Sequence, residues 1–391
     1  MTCCVIAPPG RRTAAVVVAS TGTVTGTVVD GSAVAVPGGT IELLLLGAAY
    51  ATAIPNGSGV YTFSNVPVGS YTIQQQPPLA YSIGPSESDS YSISVSGGAT
   101  TTQNFVVQSA IYSDNFSTYS TDGNFTHTGG AFVTGDFFKA APNGQAQVTI
   151  ASANPSRNQF AGAIVCDLTG GFTGGPSMRY DFPAQPANCN FATPSDSDWT
   201  TASQPRMSTY DIGSNPNMWW RVSQKVSASW EHGASASTNA RAYKFLEFTL
   251  DKESPPFSNN SRFGIYLFDG SPTPLGTNVY CDWSDRVSGT SNFISGSPGQ
   301  VTALGSTYGG TYDTWVIGAL GMGTSSGTFK LYRNGVLIST LSQTYFNGIT
   351  DAAITFALGA NINNGPDDAQ SRWFCEMGVY KSRPSLIPIT G

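Results

Sequence analysis

Three carboxylates stand at even separations in one short segment of the chain. Glu247, Asp251 and Glu253 would therefore share one face of a regular strand. Two carboxylates on one face can break a glycosidic bond, one as acid and the other as base or nucleophile. Pro255 and Pro256 follow directly and end the strand, and acid–base catalysis depends first on geometry. The segment predicts solvated carboxylates at a strand end, and we expect no enzymatic activity from it.

The histidines give no support to a nucleophilic hydrolase. The chain has only two, His127 and His232, and both lie among small polar residues. No Gly-x-Ser-x-Gly turn, which would expose a nucleophilic serine, stands near either of them. We therefore interpret both as surface histidines and predict no Ser-His-Asp site.

Aromatic residues beside polar ones offer a sugar-binding hypothesis. Tryptophan and tyrosine stack on the apolar faces of pyranose rings, while Asn and Asp accept the hydroxyl groups. The alternative is that these aromatics fill the core or a subunit interface, since a large β domain needs bulky residues inside. The candidate glycan-binding residues are Trp219, Trp220, Tyr280, Asp282 and Trp283.

Metal and cofactor sites are not expected. Residues 361–368 (NINNGPDD) could supply oxygen ligands for calcium, but these residue types are also plain turn formers. None of the six cysteines has the CxxC spacing of a zinc site. Cys166 and Cys375 lie in apolar strand contexts, which favours reduced core thiols. A disulfide between Cys166 and Cys189 is the alternative, and it would imply an oxidising compartment.

The composition indicates an all-β protein. The chain has 44 Gly and 24 Pro, and only 11% of its residues are charged, against roughly 25% in typical soluble domains. No window shows a sustained helical period with caps. The net charge of −6 argues against nucleic acid as a partner, because phosphate binding needs a concentrated basic face. The longest apolar runs are shorter than the roughly 20 residues that span a bilayer.

A β-hairpin is predicted over residues 327–340 (GTFKLYRNGVLIST). Asn334 and Gly335 can both take the positive φ of a type I′ turn, whose twist matches the flanking strands. The prediction pairs Leu331 with Ile338, Phe329 with Thr340, and Tyr332 with Leu337.

Residues 111–389 resemble the concanavalin A-like jelly rolls of laminin-G-type and legume-lectin-like domains. The resemblance rests on SDNF (113–116), the W-V of Trp315 and Val316, LYRNGVLI (331–338) and the closing WFCEMGVYKS (373–382). It implies a jelly-roll sandwich over residues 109–391. Laminarinase-type glucanases share that fold and carry E-x-D-x-(x)-E. Here Glu247 and Asp251 stand farther apart than that motif requires.

Residues 21–108 resemble the prealbumin-like repeats of carboxypeptidase-regulatory and collagen-adhesin B-type domains. This resemblance implies a small Ig-like β-sandwich that serves as a rigid mount. Residues 13–109 contain no lysine, which excludes the Lys–Asn isopeptide crosslink of some collagen-adhesin relatives. The matching residues are Gly26, Val28, Asp30, Pro37, Gly38, Gly59, Tyr61, Phe63, Val66, Pro67, Gly69 and Tyr71.

Residues 1–20 do not fit a signal peptide, because Arg11 and Arg12 follow an apolar, proline-containing start. We interpret them as an attachment arm. Together these features predict a non-enzymatic structural protein on the virion surface of a tailed bacteriophage, of the capsid-decoration or fibre type. Its arm would bind the major capsid protein or another virion protein, and its outer domain could bind surface glycans.

Low charge and many aromatics favour a homo-oligomer, and we expect a trimer. The first alternative function is a secreted extracellular adhesin or polysaccharide-binding protein. The second is a glycan-cleaving enzyme.

Overall fold

The computed structural model describes the whole of the small domain and a set of segments beyond it. Several strands of the large domain are described through their backbone pairing. The described ranges are 20–115, 123–124, 127–128, 131–132, 146–150, 163–172, 174–182, 205–209, 216–228, 242–252, 261–269, 277–285, 292–293, 300–303, 309–321, 324, 326–342, 352–362 and 370–388. The predicted arm, apart from Ser20, lies outside them.

The small domain consists of nine strands in two sheets, of five and four strands. Their orders are β4-β1-β9-β6, with β8 beside β1, and β3-β2-β5-β7. The strands are β1 (Thr21–Asp30), β2 (Thr40–Leu45), β3 (Ala48–Ala53), β4 (Val60–Pro67), β5 (Gly69–Gln76), β6 (Tyr81–Ile83), β7 (Ser90–Val95), β8 (Thr100–Thr102) and β9 (Phe105–Ser109).

The core of the small domain follows from period-two alternation. In β1 every second side chain is buried, including Val24 and Val28. Tyr61 and Phe63 lie two residues apart in β4 and share the buried face, as predicted. The Tyr61 hydroxyl donates a 2.5 Å hydrogen bond to the carbonyl of Gln103, so its polar atom is satisfied inside the core.

The described strands of the large domain form a nine-stranded sheet, an eight-stranded sheet and a short two-stranded ribbon. The nine-stranded sheet has the order β11-β15-β16-β28-β18-β24-β25-β26, with β10 beside β28. Its strands are β10 (Tyr112–Asp114), β11 (Gly123–Asn124), β15 (Ala163–Asp167), β16 (Ser177–Phe182), β18 (Met218–Val226), β24 (Asp313–Leu320), β25 (Thr328–Arg333), β26 (Val336–Ser342) and β28 (Gln370–Tyr380).

The eight-stranded sheet has the order β14-β17-β27-β19-β20-β21-β22, with β23 beside β21. Its strands are β14 (Ala146–Ile150), β17 (Pro205–Thr209), β19 (Ala242–Lys252), β20 (Ser261–Asp269), β21 (Thr277–Asp285), β22 (Asn292–Phe293), β23 (Gln300–Ala303) and β27 (Ala352–Ile362). The ribbon pairs β12 (His127–Thr128) with β13 (Ala131–Phe132). The protein is thus an all-β sandwich, which confirms the predicted fold class. Among the described residues no helix could cross a membrane.

The predicted hairpin is present, but its register differs from the prediction in part. Asn334 and Gly335 have φ of 49° and 85°, as a type I′ turn requires, and Tyr332 pairs with Leu337. A bulge between Leu331 and Tyr332 then shifts the register, so that Leu331 pairs with Ser339. Leu331 does not pair with Ile338, nor Phe329 with Thr340, because the extra residue of a bulge displaces the rest of the strand.

The central strands of the nine-stranded sheet are buried on both faces. Eight of nine residues of β18 are buried, as are seven of eight in β24, although both strands contain polar residues. One face carries apolar residues such as Trp220, Val222 and Trp315. On the other face Trp219, Val316 and Tyr380 pack with Leu386 of the C-terminal tail, defined here as residues 381–388.

The tail and the last residue of β28 also join the two domains. The amide of Ile83 donates to the carbonyl of Arg383 at 3.0 Å, and the Tyr380 hydroxyl donates to the carbonyl of Leu79 at 2.8 Å. Arg383 forms an ion pair with Asp89 across the junction, at 2.6 Å. These bonds fix the position of the small domain on the nine-stranded sheet.

A buried ion pair lies on the tail-covered face of this sheet. Arg221 and Glu376 approach to 2.7 Å, with side-chain exposures of 0% and 10%. Ser223 donates to the same Glu376 oxygen at 2.7 Å, and Arg221 also donates to the carbonyl of Ile387 at 2.9 Å. The free thiol of Cys375 lies beside them in β28, and burial raises the pKa of this thiol to about 12. It matches the predicted reduced core cysteine.

The ion pair gives a test of the fold. Arg221→Met leaves the Glu376 carboxylate buried without its cation, and we expect a loss of about 3–5 kcal/mol in the free energy of unfolding. The double variant Arg221→Met/Glu376→Leu removes both charges and should recover much of that loss. Urea unfolding followed by tryptophan fluorescence measures both. Equal losses in the single and double variants would contradict a buried, mutually dependent pair.

Candidate functional site

The eight-stranded sheet places most of its charged residues on one face. Residues directly opposite each other on neighbouring strands share a face, and so do residues two apart along a strand. Following the register across the sheet sorts its residues into rows. Three neighbouring rows on one face consist of polar and very small residues, and together we call them the polar face.

The first row, named the charged row, crosses six strands and contains an arginine and two carboxylates. Arg206 pairs with Ala357, Ala357 with Glu247, and Glu247 with Gly264. Gly264 in turn pairs with Asp282, and Thr149 pairs with Arg206 at the other end. The two smallest residue types therefore separate the three charged positions of this row.

The second row, named the tyrosine row, lies beside the charged row. Lys244 pairs with Tyr266, and Tyr266 pairs with Tyr280. Asn361 extends the row beyond Lys244, and Gln300 extends it beyond Tyr280. A bulge between Lys244 and Leu246 shifts the register of β19, and this shift brings Lys244 onto the same face as Glu247.

A third row lies on the other side of the charged row and consists of hydroxyl and amide residues with one arginine. On every strand its residue lies two positions along from the residue of the charged row. The residues of this hydroxyl row are Gln147, Ser208, Thr355, Thr249, Arg262 and Ser284.

The opposite face of the same sheet is apolar in its middle, with polar residues such as Thr209, Ser261 and Lys252 nearer the strand ends. Its alternate positions form a continuous row of large hydrophobic residues. This contrast is what a sandwich sheet needs when one face is packed on the core and the other meets solvent. The row consists of Val148, Met207, Phe356, Phe248, Phe263 and Trp283.

Strand geometry sets the spacing of the polar face. Neighbouring strands lie about 4.8 Å apart, so the backbones at Glu247 and Asp282, two strands apart, are about 10 Å from each other. Arg206 and Asp282 are four strands apart, or about 19 Å. Neighbouring rows lie about 7 Å apart along the strands. An extended polymer could thus contact several charged positions at once.

The predicted sugar-binding residues do not form one site. Trp219 is 6% exposed and lies on the tail-covered face of β18, whereas Trp220 is 1% exposed and lies on the opposite face. Adjacent residues of a strand point to opposite faces, so these two tryptophans cannot act together. Tyr280 and Asp282 share the polar face, whereas Trp283 belongs to the apolar face. Tyr280 and Asp282 are the two that the structure brings together.

The structure describes some of the predicted carboxylates and one of the two histidines. Glu247 and Asp251 share the polar face, as their even separation predicted, whereas Glu253 lies outside the described residues. His127 pairs with Phe132 in the two-stranded ribbon, and His232 is not among the described residues.

Of the possible calcium segment, Asn361 and Ile362 belong to β27, and residues 363–368 are outside the described ranges. Within the described ranges no group of three or more His, Cys, Asp or Glu is placed to hold a metal ion.

Sequence reasoning missed Arg206, Lys244 and Tyr266 as site residues. Each belongs to a different strand, and only the long-range register brings them together. A local signal did exist, because β20 reads RFGIYLFD with polar and apolar residues in near alternation.

A second group of titratable side chains lies at the end of the nine-stranded sheet and is structural. The Asp167 carboxylate accepts hydrogen bonds from the Trp373 indole at 2.9 Å and from Arg179 at 3.0 Å. The Lys225 ammonium lies 4.5 Å from the centroid of the Trp373 ring. Burial alone would raise the pKa of Asp167, but the hydrogen bonds from Trp373, the Thr169 amide and Arg179 lower it to about 2.

Comparison with known proteins gives similar solved structures only. No family model matches the chain, and no curated protein matches it. Among solved structures, an alginate lyase Aly36B variant in complex with alginate tetrasaccharide is 10% identical, with a TM-score of 0.42. That match covers 71% of this chain and 97% of the other.

Two further structures extend the comparison. Endo-β-1,4-glucuronan lyase from the fungus Trichoderma reesei is 11% identical, with a TM-score of 0.40, covering 70% of this chain and 95% of the other. The carbohydrate recognition domain of Emp46p in its metal-free form is 13% identical, with a TM-score of 0.30, covering 46% of this chain and 78% of the other.

These matches correct two predictions. The expected structural virion protein without enzymatic activity is contradicted, since the similar solved structures reported above include two polysaccharide lyases. They agree better with the second alternative, a glycan-cleaving enzyme. The predicted partners, localisation and oligomeric state stay predictions.

The Asp167 cluster predicts a pH dependence of stability. The folded-state pKa of Asp167, about 2, lies below the usual value. The contribution of this carboxylate to the free energy of unfolding is therefore complete above about pH 4 and is lost as the pH falls through about 2. We expect Asp167→Asn to be about 2 kcal/mol less stable than the wild type near neutral pH, with the difference shrinking towards pH 2. Denaturant unfolding at a series of pH values measures it.

A second variant sharpens this test. Trp373→Phe removes one hydrogen-bond donor to the Asp167 carboxylate, so the stabilisation by this carboxylate should be lost at a higher pH than in the wild type. A stability difference that does not change with pH would show that Asp167 is not held in its ionised form by these donors.

Proposed function

We propose that the chain is a glycan-cleaving enzyme that binds a polysaccharide containing uronic acids on the polar face and cleaves it there. The observation that carries the proposal is the register, which brings the charged row and the tyrosine row together on one face of the eight-stranded sheet. Cations, carboxylates and phenols from four strands are thereby combined on one surface.

Binding of a uronate polymer would draw on the cations of the polar face. The chain as a whole is acidic, with a net charge of −6, so an acidic polymer needs a local concentration of positive charge. Arg206, Lys244 and Arg262 supply it, one in each of the three rows. The hydroxyl and amide residues around them suit the hydroxyl groups of a sugar.

Cleavage next to a uronate can proceed by β-elimination. A base removes the proton on C5, the C4–O4 bond breaks, and a double bond forms between C4 and C5. The proton lost from C5 goes to the base, and the leaving O4 receives a proton from an acid. A cation beside the carboxylate stabilises the negative charge that develops there in the transition state.

The rows contain a group for each of these tasks. Tyr266 stands between Lys244 and Tyr280, with about 5 Å between the Cβ positions of directly opposed residues. We assign Tyr266 to proton transfer, with Lys244 and Tyr280 as its neighbours in the row. We assign Lys244, directly opposite Tyr266, to the carboxylate of the residue that is cleaved. Arg206 lies three strands and one row away, about 16 Å, and we assign it to the carboxylate of another residue of the polymer.

Hydrolysis is a second candidate, favoured by the carboxylates of the charged row. Glu247 and Asp282 lie on either side of Gly264, with their backbones about 10 Å apart. Inverting glycosidases hold their two carboxyl groups roughly 6.5–9.5 Å apart to admit a water molecule. This candidate predicts a saturated product.

The small domain would serve as a mount for this enzyme. The prealbumin-like pattern of residues 21–108 supports that role, and so does the hydrogen bonding between the tail and Gln76, whose amide oxygen accepts from the Leu386 amide at 3.2 Å. A mount of this kind holds the polar face in a fixed orientation.

The proposal predicts a specific product and a specific loss. The full chain should release unsaturated oligosaccharides from alginate or glucuronan, measured as ultraviolet absorbance of the new conjugated double bond. Tyr266→Phe should lower kcat about 10²–10⁴-fold, because it removes a proton-transferring group. Arg206→Gln should lower kcat/KM through loss of carboxylate binding.

Tyr332→Phe is the matched control, because Tyr332 belongs to β25 of the other sheet, and it should leave the rate unchanged. Reducing ends without ultraviolet absorbance would indicate hydrolysis by the carboxylate pair instead. No cleavage of any uronate polysaccharide would contradict both candidates.

A further inference from the structure

A cleft of about 470 Å³ lies where the small domain meets the nine-stranded sheet. Its volume is within the roughly 300–1,000 Å³ of small-molecule sites. None of its residues belongs to the polar face. The small domain contributes Ile83, Gly84, Pro85, Glu87, Ser88 and Asp89, and the large domain contributes Asn217, Trp219, Leu320, Lys381, Ser382 and Arg383.

Most of the charged groups of the cleft are already engaged. Asp89 and Arg383 form the ion pair across the domain junction, at 2.6 Å. One oxygen of Glu87 accepts a 2.6 Å hydrogen bond from the Tyr91 hydroxyl. Together with the Ile83–Arg383 backbone bond, these contacts hold the walls of the cleft in place. The cleft is therefore preformed.

Two donors remain available in this cleft. Lys381 is exposed and makes no ion pair or hydrogen bond with any residue that the structure describes. The oxygen of the Asn217 amide accepts from the Gly321 amide at 2.9 Å, which leaves its NH₂ group as a donor. An ammonium and an amide NH₂ are suited to a carboxylate.

The remaining walls suit the other parts of a sugar acid. The second oxygen of Glu87 can accept a hydrogen bond from a hydroxyl group, since only one oxygen is occupied by Tyr91. Trp219 and Leu320 give the cleft an apolar wall against which a sugar ring can pack. Trp219 itself lies flat over Gly318, where a Cβ would come within 2.7 Å of its ring, so its position is fixed.

We propose that this cleft binds a hydroxylated carboxylate of the size of a single uronate residue. Lys381 and Asn217 bind the carboxylate, Glu87 accepts a hydroxyl group, and Trp219 contacts the ring. The site does not depend on the proposed cleavage, because it shares no residue with the polar face. It would bind a free uronate or the acidic end of a longer saccharide.

Titration calorimetry with D-glucuronate on the full chain tests the site. The wild type should bind glucuronate, and Lys381→Gln should weaken binding about tenfold, because one charge-assisted contact is lost. Lys330→Gln, a change of the same kind on β25 outside the cleft, should leave the affinity unchanged. D-glucose, which lacks the carboxylate, should bind far more weakly.

Arg206→Gln separates the cleft from the polar face. If the cleft is the site, glucuronate binding persists in Arg206→Gln and is weakened in Lys381→Gln. Binding that is lost in Arg206→Gln and unchanged in Lys381→Gln would overturn the cleft proposal and leave the polar face as the binding surface. Absence of glucuronate binding to the wild type would also overturn it.

Discussion

The rest of the structure depends on the burial of both faces of the nine-stranded sheet. Its central strands β18, β24 and β28 are buried almost throughout, because the tail and the small domain cover the face that a two-layer sandwich leaves open. Polar residues on that face must then pair with each other, as Arg221 does with Glu376. An extended ligand surface is consequently left to the other sheet, and the covered face keeps only the cleft at the domain junction.

Across its central rows the eight-stranded sheet meets this requirement through alternation, with a bulge in β19 that brings Lys244 onto the face of Glu247. One set of alternate positions is apolar and suits a sandwich core, and the other set carries the cations, carboxylates and phenols. Small residues at Ala357 and Gly264 keep the charged positions apart without filling the space between them. The same pattern that stabilises the sandwich therefore also arranges the candidate site.

Local sequence patterns predicted the fold class, the type I′ turn at Asn334 and Gly335, and the shared face of Glu247 and Asp251. They did not predict the bulge beside Tyr332, because nothing in an alternating strand marks an extra residue. Nor could they show that Trp220 lies in the core, since β18 is buried on both faces. The site was missed because Arg206 joins Glu247 only through β27, a strand distant from both in sequence.

The most direct test of the central claim is a crystal structure of the full-length Tyr266→Phe variant with a uronate oligosaccharide bound. The account predicts that the oligosaccharide lies across the strands of the eight-stranded sheet, with a carboxylate at Arg206 and a glycosidic oxygen beside position 266. An oligosaccharide bound elsewhere, with the polar face empty, would contradict it.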